Sequence, residues 1–321
     1  EVEVVEGDAL RPETLPPAME GVWATYYLIH SLTDTPDYRE RDIVVARNFG
    51  LAAKDVGVER ILYLGGLGDP EEKLSVHLRS RQETGAALRE AGVPVTEFRA
   101  AVIVGTGSLS VEMVRYLTER LPVMICPRWV YTKIQPIAIR DVLSYMVGAL
   151  EVPESAGQII EIGGADVMTY GDMMKGYAKV RGLRRFLIRV PVLTPRLSAH
   201  WVHWMTPVPS GIVYPLIEGL RNEVVVRDDT AQTLFPDIQP VSYEVAVQRA
   251  LSDLKAAQVE TRWTDSLTSS QGDYQPVELT TDKGLQIERR QHVADASPED
   301  VFSVFTGLGG DRGWLYGDWL W

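Results

Sequence analysis

Residues 58–105 constrain the fold of this chain more than any other stretch. An apolar run closed by two glycines, at 60–66, is typical of a strand that is buried on both faces of a parallel sheet. Residues 75–91 then combine small or apolar positions with charges and stop at Gly92, as expected of a helix with a C-terminal glycine cap. The next strand begins at 93–98, and two strands joined by a helix predict parallel pairing through a right-handed crossover.

The same alternation of strands and helices continues on both sides of this block. Further strands are predicted at 1–6, 21–29 and 158–162. Helices are predicted at 12–20, 38–56, 109–120, 140–150, 169–181 and 242–256. The Pro-rich passage 122–136 carries no assigned element. This order of elements predicts an α/β fold built on a parallel sheet.

Composition excludes several classes of function. The chain has 321 residues, a net charge of −12 and a pI near 5.0, which argues against nucleic acid or an anionic membrane surface as a partner. Cys126 is the single cysteine, so an internal disulfide framework is excluded and a reducing compartment is favoured. No signal peptide or apolar run of membrane-spanning length is visible, and the chain is therefore predicted to be cytoplasmic.

The organisation along the chain predicts a main domain, residues 1–256, followed by the start of a second one. Within the main domain, the Trp- and Pro-rich segment 183–222 is interpreted as a small helical substrate region with an apolar pocket. A surface that meets a membrane or a lipid is the less favoured interpretation of that segment. Residues 257–282 are polar and turn-rich, as in a linker. A strand and a helix within 283–321 then begin a new unit.

The two ends of the chain predict a fragment of a longer protein. Residues 1–5 already have the pattern of a strand, and neither G-x-G-x-x-G nor G-x-x-G-x-x-G follows it. A nucleotide-binding α/β domain normally holds the pyrophosphate on such a turn, at a helix N-terminus. Residues 318–321 stop within an aromatic run. We therefore expect the first βαβ unit to be missing and the last domain to be incomplete.

Seven short motifs occur in order along residues 1–256. They are GDAL (7–10), YYLIH (26–30), NFGLAA (48–53), RILYLGG (60–66), FRAAVIVG (98–105), PIAIRD (136–141) and EIGG (161–164). Together they resemble the atypical short-chain dehydrogenase/reductase superfamily, in the branch of NAD(P)-binding, epimerase-like proteins related to the NmrA-type regulators. Residues 283–321 resemble the opening strand and helix of a START/polyketide-cyclase-like (SRPBCC) domain.

The resemblance implies a fold in three parts. The first is a Rossmann-type, doubly wound parallel sheet that lacks its first βαβ unit. The second is the small helical substrate region, and the third is a truncated α+β helix-grip domain. The implied cofactor is NAD or NADP, and both remain compatible with the sequence.

The resemblance also implies cofactor contacts at particular positions. Asp8 corresponds to a family carboxylate that accepts a hydrogen bond from the adenine amino group, and a turn cap before Pro12 is the alternative. His30 falls on the adenosine side of the crevice, and a packed, satisfied histidine is equally compatible with the pattern. The full set of implied cofactor-binding residues is Asp8, Ala9, Leu28, Ile29, His30, Gly65, Gly66, Arg81, Ala100 and Ala101.

His77 and Arg81 stand four positions apart on one predicted helix, where the family carries its Tyr-x-x-x-Lys pair. In the family, Tyr supplies the proton while Lys lowers the pKa of Tyr and holds the ribose. The resemblance therefore implies that His77 is the general acid or base and that Arg81 holds the ribose hydroxyls. The charges of Arg79 and Arg81 should disfavour the His77 imidazolium. Gly65 and Gly66 stand where the family has a Ser, so ordinary Tyr-type chemistry is not expected.

Two functions from different classes remain open. One is an NAD(P)-dependent oxidoreductase or epimerase-like enzyme acting on a small apolar substrate, which the apolar segment 183–222 and the helix-grip domain favour. The other is an NmrA-like sensor or scaffold that binds NAD(P) without turnover, which the loss of Tyr, Lys and Ser favours. No metal is predicted, because no carboxylate or cysteine completes a site with His200 and His203. The oligomeric state is left open.

Overall fold

The computed structural model describes residues 5–30, 38–190, 217–255, 278–282, 285–289 and 296–307. The chain divides into two compact units, Glu1–Arg262 and Trp263–Trp321, each of which is described by itself. No helix within the described ranges has the length and apolar character needed to cross a membrane.

The first unit alternates strands and helices. Its strands are β1 (Ala24–Tyr27), β2 (Arg60–Gly66), β3 (Val95–Ala100), β4 (Ile103–Val104), β5 (Val123–Cys126), β6 (Lys133–Ile134), β7 (Ile137–Ala138), β8 (Ile159–Ile162), β9 (Met168–Thr169) and β10 (Phe186–Arg189). Its helices are α1 (Pro16–Met19), α2 (Tyr38–Asp55), α3 (Val76–Arg89), α4 (Leu109–Arg120), α5 (Ile139–Glu151), α6 (Tyr170–Val180), α7 (Thr230–Leu234) and α8 (Tyr243–Lys255). Short 3-10 helices lie at Pro12–Thr14, Arg128–Tyr131 and Pro153–Ser155.

Four parallel strands form the central sheet, in the order β1-β2-β3-β8. β2 and β3 occupy the middle, where Leu62 and Phe98 are fully buried. α3 connects these two strands, so the parallel pairing through a helical crossover that residues 58–105 predict is confirmed.

Hydrophobic cores lie on both faces of this sheet. Ile61 and Tyr63 point to the face covered by α2 and α3, where they pack in one cluster with Phe49 and Leu88. Leu62, between them in the strand, points to the opposite cluster, which contains residues of α5 and α7. Because successive side chains of a strand point to opposite faces, a strand covered on both sides is apolar throughout. The predicted doubly wound α/β fold is confirmed.

Local hydrogen bonds set where the helices next to the site begin. Ser75 caps α3, and its hydroxyl accepts a hydrogen bond from the backbone N–H of Leu78. Thr169 and Asp172 form a capping box at the start of α6. Both helices start within a few residues of the predicted positions, because the capping side chains are encoded locally.

The strand predicted at 1–6 is wrong for the residues that the structure describes. Val5 and Glu6 lie outside any strand, and residues 1–4 lie outside the described ranges. From Asp8 onward the chain turns on local hydrogen bonds, in which Asp8 N–H donates to Thr14 Oγ1 at 2.8 Å. Such side-chain contacts offer the backbone an alternative to a strand ladder.

Two other parts of the sheet layer differ from the prediction. The strand predicted at 21–29 is shorter, since β1 covers Ala24–Tyr27, at one end of the described four-stranded sheet; Tyr26 and Leu28 are exposed. The Pro-rich passage 122–136 contains β5, a 3-10 helix and β6. Pro127 directly follows β5, where it costs no ladder hydrogen bond.

The apolar segment 183–222 is described at its two ends. Near its start, β10 pairs in parallel with β5. Near its end, residues 217–222 pack beside α3, as detailed below. The small helical substrate region interpreted within this segment falls mainly on residues 191–216, which lie outside the described ranges.

In the second unit, the structure describes two strands and one helix. β11 (Glu278–Asp282) pairs antiparallel with β12 (Leu285–Arg289), and α9 (Pro298–Thr306) begins after the cap residue Ser297. The strand and helix predicted after residue 283 are thus present, while β11 lies at the end of the segment interpreted as a linker. The helix-grip domain itself stays a prediction.

Candidate active site

A cavity of about 400 Å³ opens at the carboxyl ends of β2 and β3. In open α/β sheets, ligands bind in the crevice outside these strand ends. The end of β1 contributes His30, β2 contributes residues 64–66, and β3 with the following turn contributes Ala100 and Ala101. α3 supplies His77 and Arg81 as a further wall. The sheet thus brings together residues that are far apart in the sequence.

Seven of the predicted site residues line this one cavity. They are His30, Gly65, Gly66, His77, Arg81, Ala100 and Ala101. Leu28 and Ile29 do not line it, and both are exposed at the end of β1. The two glycines have a packing reason: a Cβ on Gly66 would lie 3.2 Å from a methyl carbon of Leu78 in α3. Small residues at this strand end therefore allow α3 to pack closely.

Asp8 and Ala9 lie outside this cavity. The Asp8 carboxylate accepts the backbone N–H of Leu10 at 2.9 Å and the Arg11 guanidinium at 3.2 Å. The N–H of Leu10, with help from Arg11, holds the pKa of that carboxyl below its usual value. Ala9 is buried, and its carbonyl accepts a hydrogen bond from Asn48. This geometry is that of a turn cap, the alternative that the sequence left open for Asp8. The contact of Asp8 with adenine stays a prediction.

Arg81 is held in place by the end of β2. Its Nη2 donates to the carbonyl of Leu64, and its own carbonyl accepts the Tyr63 hydroxyl at 2.8 Å. The guanidinium carbon lies 5.0 Å from the centre of the Tyr63 ring, within the range of a cation–π contact. Nη1 is buried and has no hydrogen-bond partner among the described residues. One nitrogen of a fixed guanidinium is therefore available to a ligand.

Two histidines lie next to each other in the cavity wall. The ring centres of His30 and His77 are 5.2 Å apart. Burial, with smaller effects of His30 and Arg81, lowers the pKa of His77 to about 3. The direction agrees with the prediction that neighbouring charge disfavours its imidazolium, although burial is the larger cause and Arg79 is not among the causes. His77 is therefore neutral at physiological pH.

His30 differs from His77 because it has a carboxylate partner. Its Nδ1 lies 3.2 Å from Oδ2 of Asp42 in α2, and Asp42 is buried. Burial lowers the pKa of His30, the hydrogen bond to Asp42 raises it, and the charge of Arg81 lowers it. The Nε2 atom of His30 and the Nδ1 atom of His77 are buried without a partner in the part of the chain that the structure describes.

Most of the remaining cavity wall is apolar. It comes from α4, from α6 and from the segment around residue 220, and includes Leu109, Met113, Leu117, Met173, Met174, Ile217 and Leu220. Its residues from α4 and α6 were missed by the sequence analysis, whereas Ile217 and Leu220 fall in the segment 183–222 that was interpreted as having an apolar pocket. Trp129 also lines the cavity, and its indole Nε1 is buried with no partner in the described ranges. Four unpartnered nitrogens, on His30, His77, Arg81 and Trp129, thus belong to residues that line one apolar cavity. Periodicity could not reveal Trp129, since it lies in a short 3-10 helix between strands.

Segment 217–227 closes one side of the cavity. Asn222 is buried, accepts the backbone N–H of Ser75 at 3.0 Å and donates to the carbonyl of Lys73 at 3.1 Å. Arg227 pairs with Asp69 at 2.9 Å and with the buried carboxylate of Glu161. These contacts join the segment to the loop after β2, to the start of α3 and to β8.

No known family model matches this chain, and no curated protein matches it. Solved structures do share its fold. A nucleoside-diphosphate-sugar epimerase from Staphylococcus aureus aligns at 17% identity over 77% of this chain and 84% of that chain, with a TM-score of 0.60. Triphenylmethane reductase from Citrobacter sp. aligns at 20% identity over 78% and 84%, with a TM-score of 0.61. An NADPH-dependent quinone oxidoreductase from Escherichia coli, complexed with NADPH, aligns at 18% identity over 78% and 84%, with a TM-score of 0.62.

At these identities the likeness shows the fold alone. The described core of this chain has the Rossmann-type α/β fold that these epimerases and reductases share. The site residues and the chemistry must be argued from the cavity.

Proposed function

We propose that this protein binds NAD or NADP at the carboxyl ends of β2 and β3, and that it is an oxidoreductase or epimerase-like enzyme acting on a small apolar substrate. The observation that carries the proposal is the set of unpartnered nitrogens on His30, His77 and Arg81 in an apolar cavity. A buried polar atom without a partner costs about 1–3 kcal/mol, so such a cluster indicates a polar ligand.

The residues present fit the nicotinamide riboside half of a dinucleotide. Arg81 Nη1 would donate to a ribose hydroxyl, and the apolar wall would accept the nicotinamide ring. No G-x-G-x-x-G turn occurs in the sequence to hold the pyrophosphate, so we expect weak binding by these residues. When bound, the cofactor would supply hydride transfer.

The remaining wall suits a substrate with one hydrogen-bond acceptor on an apolar body. Trp129 Nε1 would donate to that acceptor, while the methionines of α6 adapt to the apolar part. Three of the solved structures with this fold are described as reductase, oxidoreductase or epimerase, which supports the class of reaction without naming a substrate.

A second candidate function is dinucleotide binding without turnover, as in an NmrA-like sensor. The observation that favours it is the low pKa of His77, about 3. A histidine that stays neutral at physiological pH cannot replace the family Tyr as a proton donor through its imidazolium. Under this alternative, His77 contributes only a hydrogen bond.

Cofactor titration tests the binding proposal. NADH and NADPH are titrated to millimolar concentrations by isothermal calorimetry against the wild type, Arg81→Met and Arg79→Met. Arg79 is the matched control, because it lies on the same helix but is exposed and does not line the cavity. We expect Arg81→Met to weaken binding by about tenfold or more, as for the loss of a charged hydrogen bond. Equal affinities for all three proteins, or no heat with either cofactor, would contradict the proposal.

Turnover separates the two candidates. Oxidation of NADPH is followed with a panel of aromatic aldehydes and ketones, which place one acceptor on an apolar body. Reduction that weakens in Trp129→Phe supports the enzyme. Saturable NADPH binding with no oxidation above background supports the sensor.

A further inference from the structure

Asp42 and His30 form a hydrogen-bonded pair at the edge of the cavity. Asp42 Oδ2 lies 3.2 Å from His30 Nδ1 and 3.2 Å from the hydroxyl of Ser80. A carboxylate only accepts hydrogen bonds, so the Nδ1 atom of His30 carries the proton of this contact. The neutral ring is therefore held with a lone pair on Nε2, the buried atom that has no partner within the described ranges.

His30 and His77 differ in what surrounds them. His30 faces Asp42 from α2 and faces His77 and Arg81 from α3. The carboxylate compensates the positive charge of a His30 imidazolium. The charges of His30 and Arg81 oppose a positive charge on His77, and Asp42 has a smaller effect in the opposite direction. Asp42 is a direct hydrogen-bond partner of His30, and this contact stabilises the protonated His30 ring.

From this geometry we infer that Asp42 and His30 are the proton-exchanging pair of the site, with His30 as the catalytic acid or base and Asp42 as its positioning residue. The inference rests on the proposed function. In the reducing direction, the nicotinamide, when bound, would supply a hydride to the carbonyl carbon of the substrate, and the protonated His30 ring would give its Nε2 proton to the carbonyl oxygen. The C=O group becomes CH–OH, His30 becomes neutral, and Asp42 still accepts from Nδ1. In the oxidising direction, Nε2 takes the alcohol proton.

Under this inference, His30 would supply the proton that Tyr supplies in the short-chain dehydrogenase/reductase family, which the sequence resembles. The sequence places His77 at the Tyr position, but the nearby carboxylate is on α2 and reaches His30 instead. A buried carboxylate behind an imidazole fixes its tautomer and stabilises the imidazolium when it forms. His77 then has the role of a neutral hydrogen-bonding group in the wall.

The first test needs no ligand. Long-range ¹⁵N–¹H correlation spectra of ¹⁵N-histidine-labelled protein report the tautomer and the pKa of each ring, and His30→Gln assigns the His30 signals. We expect the neutral His30 ring to be protonated at Nδ1. Protonation at Nε2 in the wild type would overturn the inference, whether or not any variant folds.

Two variants test the part played by Asp42. Asp42→Asn removes the charge and should lower the pKa of His30 further, while Ser80→Ala keeps the charge and serves as the matched control. An unchanged pKa of His30 in Asp42→Asn would count against the pair. The cofactor titration with Arg81→Met decides the proposed function separately, because the tautomer of His30 is measured without cofactor.

Where turnover is found, the pH profile gives a second readout. The rate of reduction should rise as the pH falls through the pKa of His30, and the rate of alcohol oxidation should fall over the same range. His30→Gln should lower kcat by about 10²- to 10⁴-fold, the usual contribution of a general acid or base. A wild-type profile that is retained in His30→Gln would exclude His30 as the proton donor.

Discussion

Asn222 Oδ1 accepts a 3.0 Å hydrogen bond from the backbone N–H of Ser75, although 147 positions separate the two residues. Ser75 is the N-cap of α3, the helix that carries His77 and Arg81. The same amide of Asn222 donates to the carbonyl of Lys73. One buried side chain therefore holds the cavity-closing segment against the start of the helix that provides the candidate site.

Replacing Asn222 should destabilise the protein. Asn222→Ala leaves the buried N–H of Ser75 without a partner, which costs about 1–3 kcal/mol in the free energy of unfolding. Urea unfolding followed by circular dichroism measures the change. Glu223→Ala is the matched control, because Glu223 is the exposed neighbour in the chain. If both substitutions lower the free energy of unfolding by a similar, small amount, the side-chain amide of Asn222 does not contribute measurably to stability.

Two helical glycines should respond in opposite directions to alanine. A Cβ on Gly85 would lie 2.2 Å from Oε2 of Glu97, a fully buried carboxylate that accepts from Arg89 at 2.5 Å and from Arg99 at 2.7 Å. A Cβ on Gly148 would meet Phe235 at 3.5 Å, an ordinary contact. Alanine improves helix propensity by about 1 kcal/mol, whereas overpacking costs about 1–3 kcal/mol.

We therefore expect Gly85→Ala to lower the free energy of unfolding and Gly148→Ala to raise it slightly. Glu97 cannot move away from a new Cβ without losing its hydrogen bonds to Arg89 and Arg99. At Gly85 the cost of overpacking should therefore exceed the gain in helix propensity. Thermal unfolding of the two variants beside the wild type gives the comparison. Stabilisation by Gly85→Ala would show that the carboxylate moves at little cost.

Stability should fall on acidification, in part because of His77. Its pKa in the folded protein, about 3, lies below the value of about 6.5 expected for an unfolded histidine. Between these values the unfolded state binds one more proton than the folded state, so the free energy of unfolding decreases by up to about 1.4 kcal/mol per pH unit. Above pH 6.5 this contribution is complete.

The variant His77→Leu isolates that contribution. Urea unfolding at pH 7, 6 and 5 should show a shallower loss of stability in His77→Leu than in the wild type. Arg79→Gln, which changes an exposed residue of the same helix, should retain the wild-type slope. If the free energy of unfolding falls equally steeply with pH in all three proteins, His77 is not the cause of the acid sensitivity.

The polar segment 257–282 should be cut by proteases, as its composition predicts. Limited trypsin digestion is expected to cleave first after Arg262, where the chain also divides into its two compact units. Mass spectrometry of the fragments identifies the bond, and Arg262→Gln should remove that fragment. Resistance of the whole stretch from Arg262 to Lys283 would argue against a linker.

The local pattern of the sequence was sufficient for most elements of the first unit. The helix predicted at 109–120 is α4 itself, Leu109–Arg120, and the two central strands lie where their apolar runs predict them. Such elements depend on the periodicity of neighbouring side chains and on their caps, and both are present in a short window of sequence. The strand predicted at 1–6 does not include Val5 and Glu6, and directly after them a turn held by Asp8 and Thr14 competes with an extended chain.

The site could be predicted in part. His30, His77 and Arg81 were candidates because the resemblance placed them at strand ends and on one helix, and the structure brings them to one cavity. Asp42 and Trp129 carried no signal. A lone acidic residue within a helix, or an aromatic residue in a Pro-rich passage, has the same pattern whether it faces solvent, core or ligand.

By itself, the sequence determined the alternation of helices and strands, and with it the parallel α/β class of the fold. Only the tertiary structure decided which polar groups meet. Arg60, inside an apolar strand, is buried and its guanidinium donates to the carbonyls of Val152 and Pro153 just beyond the end of α5. Asp42 reaches His30 rather than solvent because α2 packs against the end of β1. Periodicity reports the local direction of a side chain, whereas partners distant in sequence are set by the order of strands in the sheet and by the packing of helices on its two faces.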